Sequence, residues 1–60
     1  MKVLIYLNGR RDPLTYEGDR IDVIDFDLNG INYKQIRCFK KGISKSELID
    51  VKLIQNIKYI

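Results

Sequence analysis

The dipeptide Asn29-Gly30, set between two alternating runs of apolar and polar residues, constrains this chain more than any other feature. A two-residue type I′ turn needs positive φ at both central positions, and Asn followed by Gly meets that need at low steric cost. The turn fixes a register. Leu28 flanks it against Ile31, and the ladder then pairs Asp27 with Asn32, Phe26 with Tyr33, Asp25 with Lys34, Ile24 with Gln35 and Val23 with Ile36. Further out come Asp22 with Arg37, Ile21 with Cys38, Arg20 with Phe39 and Asp19 with Lys40. Asp19, Asp22 and Asp25 thereby each meet a cation, and directly opposed charges contribute roughly 0.2–1 kcal/mol per pair. A slip of one residue would send every side chain to the other face.

In this register Leu28, Ile31, Phe26, Tyr33 and Ile24 share one face near the turn, whereas Val23, Ile36, Ile21 and Cys38 share the opposite face further out. The apolar patch changes sides along the hairpin. A strongly twisted or partly closed sheet can use such a pattern, because each strand then crosses from one side of the core to the other. A bulge near Ile24 and Gln35 is the alternative. The expected fold is mainly β, a small curled antiparallel sheet or partly closed barrel built on the hairpin 20–40.

The remaining segments read as follows. Val3 to Leu7 is a continuous apolar run, the pattern of a central strand covered on both faces. Asn8 to Pro13 gathers turn formers into an exposed loop, and Leu14-Thr15-Tyr16 has room for a short edge strand that pairs back across it. Glu17-Gly18-Asp19 and Lys40-Lys41-Gly42 are further turns. Beyond them the pattern divides. Ser44-Lys45-Ser46-Glu47 matches a capping box, and Ile49, Leu53, Ile54, Ile57 and Ile60 fall on one helical stripe, which gives an α+β alternative with a C-terminal helix near 45–56. Against it, Leu48, Val51 and Tyr59 fall on the other side of that helix, and the β-branched Ile and Val residues lose χ1 freedom there. The strand reading is preferred, with strands near 2–8, 14–17, 20–28, 31–40, 46–53 and 57–60 and a break at Gln55-Asn56.

Sixty residues make one domain, 1–60, and a chain of that length buries only about 60% of its unfolded surface. With a single Cys, Cys38, and no His, it builds neither an internal disulfide nor a Cys/His zinc site. Cys38 reads as a small buried hydrophobe in a reducing compartment. Oligomerisation or a partner is the support left to so small a core. The five-residue apolar run Val3 to Leu7 is too short for a secretory h-region, and no stretch reaches the length of a membrane span, so a cytoplasmic protein without a membrane partner is expected. Abundant Ile, Lys, Asn and Tyr, with no Ala, Trp or His, is what AT-rich coding gives and points to a low-GC bacterium or one of its phages.

Catalytic constellations are missing. Without His there is no ordinary triad and no His-paired thiolate. Asp22, Asp25 and Asp27 lie on one strand, Asp22 and Asp25 opposite cations and Asp27 opposite Asn32, and read as solvated cross-strand pairs; Asp25, Asp27, Asn29 and Gly30 lack the closing Glu of a calcium loop. The four glycines stand singly at turns, and no Gly-rich phosphate loop occurs. The expectation is no enzyme, no cofactor and no metal.

Two basic groups remain, Arg10-Arg11 and Lys40-Lys41 with Lys45, interleaved with Tyr6, Tyr16, Tyr33 and Phe39 as in small β-domains that stack bases. Eight carboxylates nevertheless mix with the eleven cations, for a net charge of +3, Lys40 has Asp19 as its pair, and Tyr33 and Phe39 are expected in the core. Nucleic-acid binding through Arg10, Arg11, Lys40, Lys41 and Lys45 is therefore the alternative. The main expectation is a non-catalytic interaction module for a protein partner or a second copy. Its apolar fraction of 45% is large for one small core, so some of Tyr16, Leu48, Ile54, Tyr59 and Ile60 should stay exposed as an interface.

Overall fold

A computed structural model describes residues 1–60. Strands form where the turns and alternation place them: β1 (Lys2–Leu7), β2 (Leu14–Glu17), β3 (Arg20–Leu28), β4 (Ile31–Lys40), β5 (Ile43–Asp50) and β6 (Ile54–Tyr59), with a 3-10 turn at Val51–Leu53. The fold is mainly β, as expected. It consists of two three-stranded antiparallel sheets, ordered β2-β1-β6 and β3-β4-β5, which do not close into a barrel.

The hairpin register is the one the turn dictates. Asn29 and Gly30 have φ of 52° and 79°, the positive pair a type I′ turn requires, and nine pairs from Leu28↔Ile31 to Arg20↔Phe39 follow without interruption. The ladder stops one pair short of Asp19 with Lys40. Asp19 instead donates its amide to the Phe39 carbonyl at 2.8 Å, and its Oδ2 accepts the Lys41 amide at 3.0 Å. Of the three expected charge pairs only Lys34 with Asp25 closes as an ion pair. Asp22 stands opposite Arg37 but takes Arg20, two residues away on its own strand, with Nη2 at 3.2 Å from Oδ2 and Nε donating to Oδ1 at 3.2 Å.

Only Gly18 and Asp19 separate β2 from β3, so the chain crosses there from one sheet to the other, the way corners of packed sheets are made. The corner is tight. A Cβ on Gly18 would sit 2.7 Å from the Phe39 carbonyl oxygen and 2.8 Å from Cys38 Sγ, so glycine is needed here for close approach. The Gly18 amide donates to the Met1 carbonyl at 3.1 Å, and Cys38 Sγ donates to the Glu17 carbonyl at 3.1 Å, which ties β4 to the corner.

One cluster joins the sheets: Val3 and Ile5 from β1, Ile21 from β3, Ile36 from β4 and Ile49 from β5 are buried. Leu7, Leu14, Tyr16, Val23, Cys38, Ile54 and Ile57 pack partly buried around it. β1 is central, as expected, but only its Val3–Ile5 face is buried; Leu4 and Tyr6 are half-buried on the other.

In the C-terminal third the preferred strand reading holds and the helical alternative does not, but the strand bounds differ from those expected. No helix forms near 45–56: Ser44 to Glu47 lies in β5, and Glu47 Oε2 accepts the Tyr16 hydroxyl at 3.2 Å. β5 starts at Ile43, because Lys41 and Gly42, with φ of 50° and 78°, make a second two-residue turn that leaves no loop. It ends at Asp50, whose Oδ1 accepts the Lys52 amide at 2.9 Å and draws the chain into the 3-10 turn. β6 therefore begins at Ile54. The expected break at Gln55-Asn56 is a bulge within that strand, since Tyr6 pairs with Asn56 and Leu7 with Ile54, which leaves Gln55 as the extra residue.

Candidate interaction surface

The face change of the apolar patch has a simple cause in strand length. At about 3.3 Å per residue, β4 with its ten residues outruns β1 with six and β2 with four, so the first sheet covers only the half of the hairpin away from the turn. Ile21 and Ile36 are buried there. The other half projects with no bulge and no crossing of the core, so the expected curling of each strand around a common interior does not occur. The radius of gyration, 11.6 Å, exceeds the roughly 10 Å of a compact chain this long.

On the projecting half the outward face carries Ile24, Phe26, Leu28 and Ile31, each 38–46% exposed, with half-buried Tyr33 opposite Phe26. Leu48 joins them, as β5 places it beside Gln35 on the same face. Beyond this apolar field Arg20 and Arg37 each lie 5.5 Å from the centre of the Phe39 ring. Tyr33 and Phe39, expected in the core, thus belong to the outer face. The reverse face of the projecting half is polar, with Asp25, Lys34, Asp27 and Asn32.

The apolar residues singled out from the sequence do not converge. Leu48 is on this outer face, and Tyr59 and Ile60 are exposed at the end of β6 in the other sheet. Tyr16 and Ile54 are half-buried against the core. Burial chiefly, and the Glu47 carboxylate it hydrogen-bonds, push the Tyr16 phenol up to about 12. The residues missed as an interface were legible: Ile24, Phe26, Leu28 and Ile31 alternate on one face of a strongly fixed register, and only the shortness of β1 and β2 told that nothing would cover them.

The basic residues separate into two ends. Asn8 donates its amide to the Leu53 carbonyl at 2.8 Å and its Nδ2 to the Lys52 carbonyl at 3.1 Å, which holds the Arg10-Arg11 loop beside the 3-10 turn. Lys40, Lys41 and Lys45 line a groove of about 390 Å³ with Glu17, Cys38 and Ile43 at the β4–β5 turn, the opposite end of β5. None of the three lysines makes an ion pair; Glu17 pairs with Lys2 at 3.6 Å. No three His, Cys, Asp or Glu side chains are grouped to hold a metal ion. No helix is long and apolar enough to cross a membrane. Compared with protein-family models, curated proteins and solved structures, the chain matches none.

Proposed function

We propose that the chain is a non-catalytic interaction module that presents its β3-β4-β5 sheet to a protein partner or to another copy of itself. The observation that carries this reading is the uncovered apolar field of Ile24, Phe26, Leu28, Ile31 and Leu48 on one sheet face. Grouped apolar side chains on a projecting, regularly paired surface are costly to leave in water and are the usual mark of a contact site. The test compares the wild type with Phe26→Asp/Leu28→Asp in affinity capture and in sedimentation over a range of concentrations. Association or capture that the double substitution abolishes supports the reading; a monomer that captures nothing specific to this face overturns it.

A second reading, nucleic-acid binding, is favoured by the three unpaired lysines around one groove. Phosphate contacts release counterions, so such binding would weaken steeply between low and moderate salt. A mobility-shift titration with single- and double-stranded nucleic acid decides it: salt-sensitive binding lost on Lys40→Glu/Lys45→Glu supports this reading. Arg10 and Arg11, at the other end of the molecule, should then matter little.

A further inference from the structure

One free edge of the second sheet is β5, and its hydrogen-bonding parity follows from its turn. The two-residue turn at Lys41-Gly42 makes Lys40↔Ile43 the first bonded pair, so Ile43, Lys45, Glu47 and Ile49 exchange backbone hydrogen bonds with β4. Ser44, Ser46 and Leu48 consequently direct their N–H and C=O groups away from the sheet. No loop, terminus or side chain meets them: the backbone hydrogen bonds made outside strand ladders, and those made by side chains, all lie elsewhere. The strand is exposed from Ile43 to Leu48, contains no proline and pairs with β4 without a bulge. An edge of this kind is a template for another strand.

We infer that the occupant is a second copy of this chain, with the two β5 strands paired antiparallel about a two-fold axis at Ser46. The inference shares the self-association of the interaction-module reading but places it on the backbone edge of the sheet, not on its apolar face. Charge selects both the copy and the register. A two-fold centred on Lys45 sets Lys45 against itself, and one centred on Glu47 sets two carboxylates face to face. Centred on Ser46, the pairing places Lys45 of each copy opposite Glu47 of the other, twice. Lys45 has no ion-pair partner within its own chain.

The parity agrees with the charges. Ser46 meets Ser46, and Ser44 meets Leu48, so every outward-directed group faces another, for about six new backbone hydrogen bonds. Lys45 and Glu47 then form the non-hydrogen-bonded pairs, in which opposed side chains stand closest. The other edge is unsuited: β3 carries Asp22, Asp25 and Asp27 against a single cation, Arg20, which Asp22 already holds. The product is one six-stranded sheet, with Leu48 of each copy at the seam and Ile24, Phe26 and Leu28 of the two copies at its opposite ends.

The experiment is sedimentation equilibrium joined to amide exchange by nuclear magnetic resonance at several protein concentrations. The wild type should dimerise, and the amides of Ser44, Ser46 and Leu48 should gain protection as concentration rises. Lys45→Glu or Glu47→Lys alone should weaken the dimer about tenfold or more, because two attractive pairs become two repulsive ones. The double charge swap, Lys45→Glu/Glu47→Lys, should restore it, which a mere loss of folding would not. Ser46→Pro removes an outward donor and should give a folded monomer. A dimer indifferent to charge reversal and to Ser46→Pro overturns the edge pairing, as does a wild type that remains monomeric at millimolar concentration. In that last case, capture that depends on Phe26 would leave the module reading standing, and its absence would remove both.

Discussion

Gly18 carries more of the structure than its exposure suggests, because the corner between the sheets closes only where no side chain stands between the chain and the Phe39 carbonyl. Gly18→Ala should lower stability by about 1–3 kcal/mol, the cost of overpacking a site bounded by backbone, read from urea denaturation. Tyr16 makes a second prediction. Its folded-state phenol, held near 12, binds its proton more tightly than the ordinary phenol of the unfolded chain at 10.0. The stability linked to that proton is therefore complete below pH 10 and drains away as pH climbs from 10 through 12. Thermal midpoints of the wild type should fall more steeply over that window than those of Tyr16→Phe. Neither role was legible beforehand. Gly18 read as one more turn glycine, and Tyr16 as an interface residue, because contacts between β2 and the second sheet are set by packing and leave no local sequence pattern.

Turns are the elements the sequence declares best. Asn29-Gly30 made nine pairs of the hairpin readable, since a turn with two positive φ values admits one register. Gly30→Ala, with φ near 79° to hold, should cost about 1–2 kcal/mol without shifting the ladder; α-proton-to-α-proton Overhauser contacts of Asp25 with Lys34, a non-hydrogen-bonded pair, would verify the register. The start of β5 was missed because its turn uses Lys41 where Asn or Gly is expected, and its end because Asp50 acts through a side-chain hydrogen bond rather than a helix-like pattern. The capping-box motif gave only the alternative helix, and the strand reading preferred over it holds: Ser44 and Glu47 are equally at home on an exposed strand, and the β-branched isoleucines around them favour it. Substitutions of Phe26 or Leu28 by Ser should change stability by no more than about 1 kcal/mol, the scale of one cross-strand pair, even though the sequence pattern ranks them with the core.

The whole molecule rests on five buried side chains, all aliphatic. Ile36, fully buried between the sheets, should cost about 2–5 kcal/mol as Ile36→Ala, against the roughly 3–9 kcal/mol a chain of this length commands. Circular dichroism and sedimentation of that variant should show a substantial unfolded fraction, rescued in part by Ile36→Val. The same plan sets an order of events. β3, β4 and β5 join through two tight turns, but β1 finds β6 only by bringing Val3 to Tyr59, from one end of the chain to the other. Loop closure over that span is slow and is rewarded only after the intervening chain is compact. Pulse-labelled refolding should accordingly protect the amides of Ile24 and Ile36 before those of Leu4 and Lys58, which bond across β1 and β6. Ile36→Val should slow refolding, whereas Ile57→Val should chiefly speed unfolding. A chain still emerging during synthesis would thus hold a formed meander while β1, already made, waits for the strand that completes its sheet.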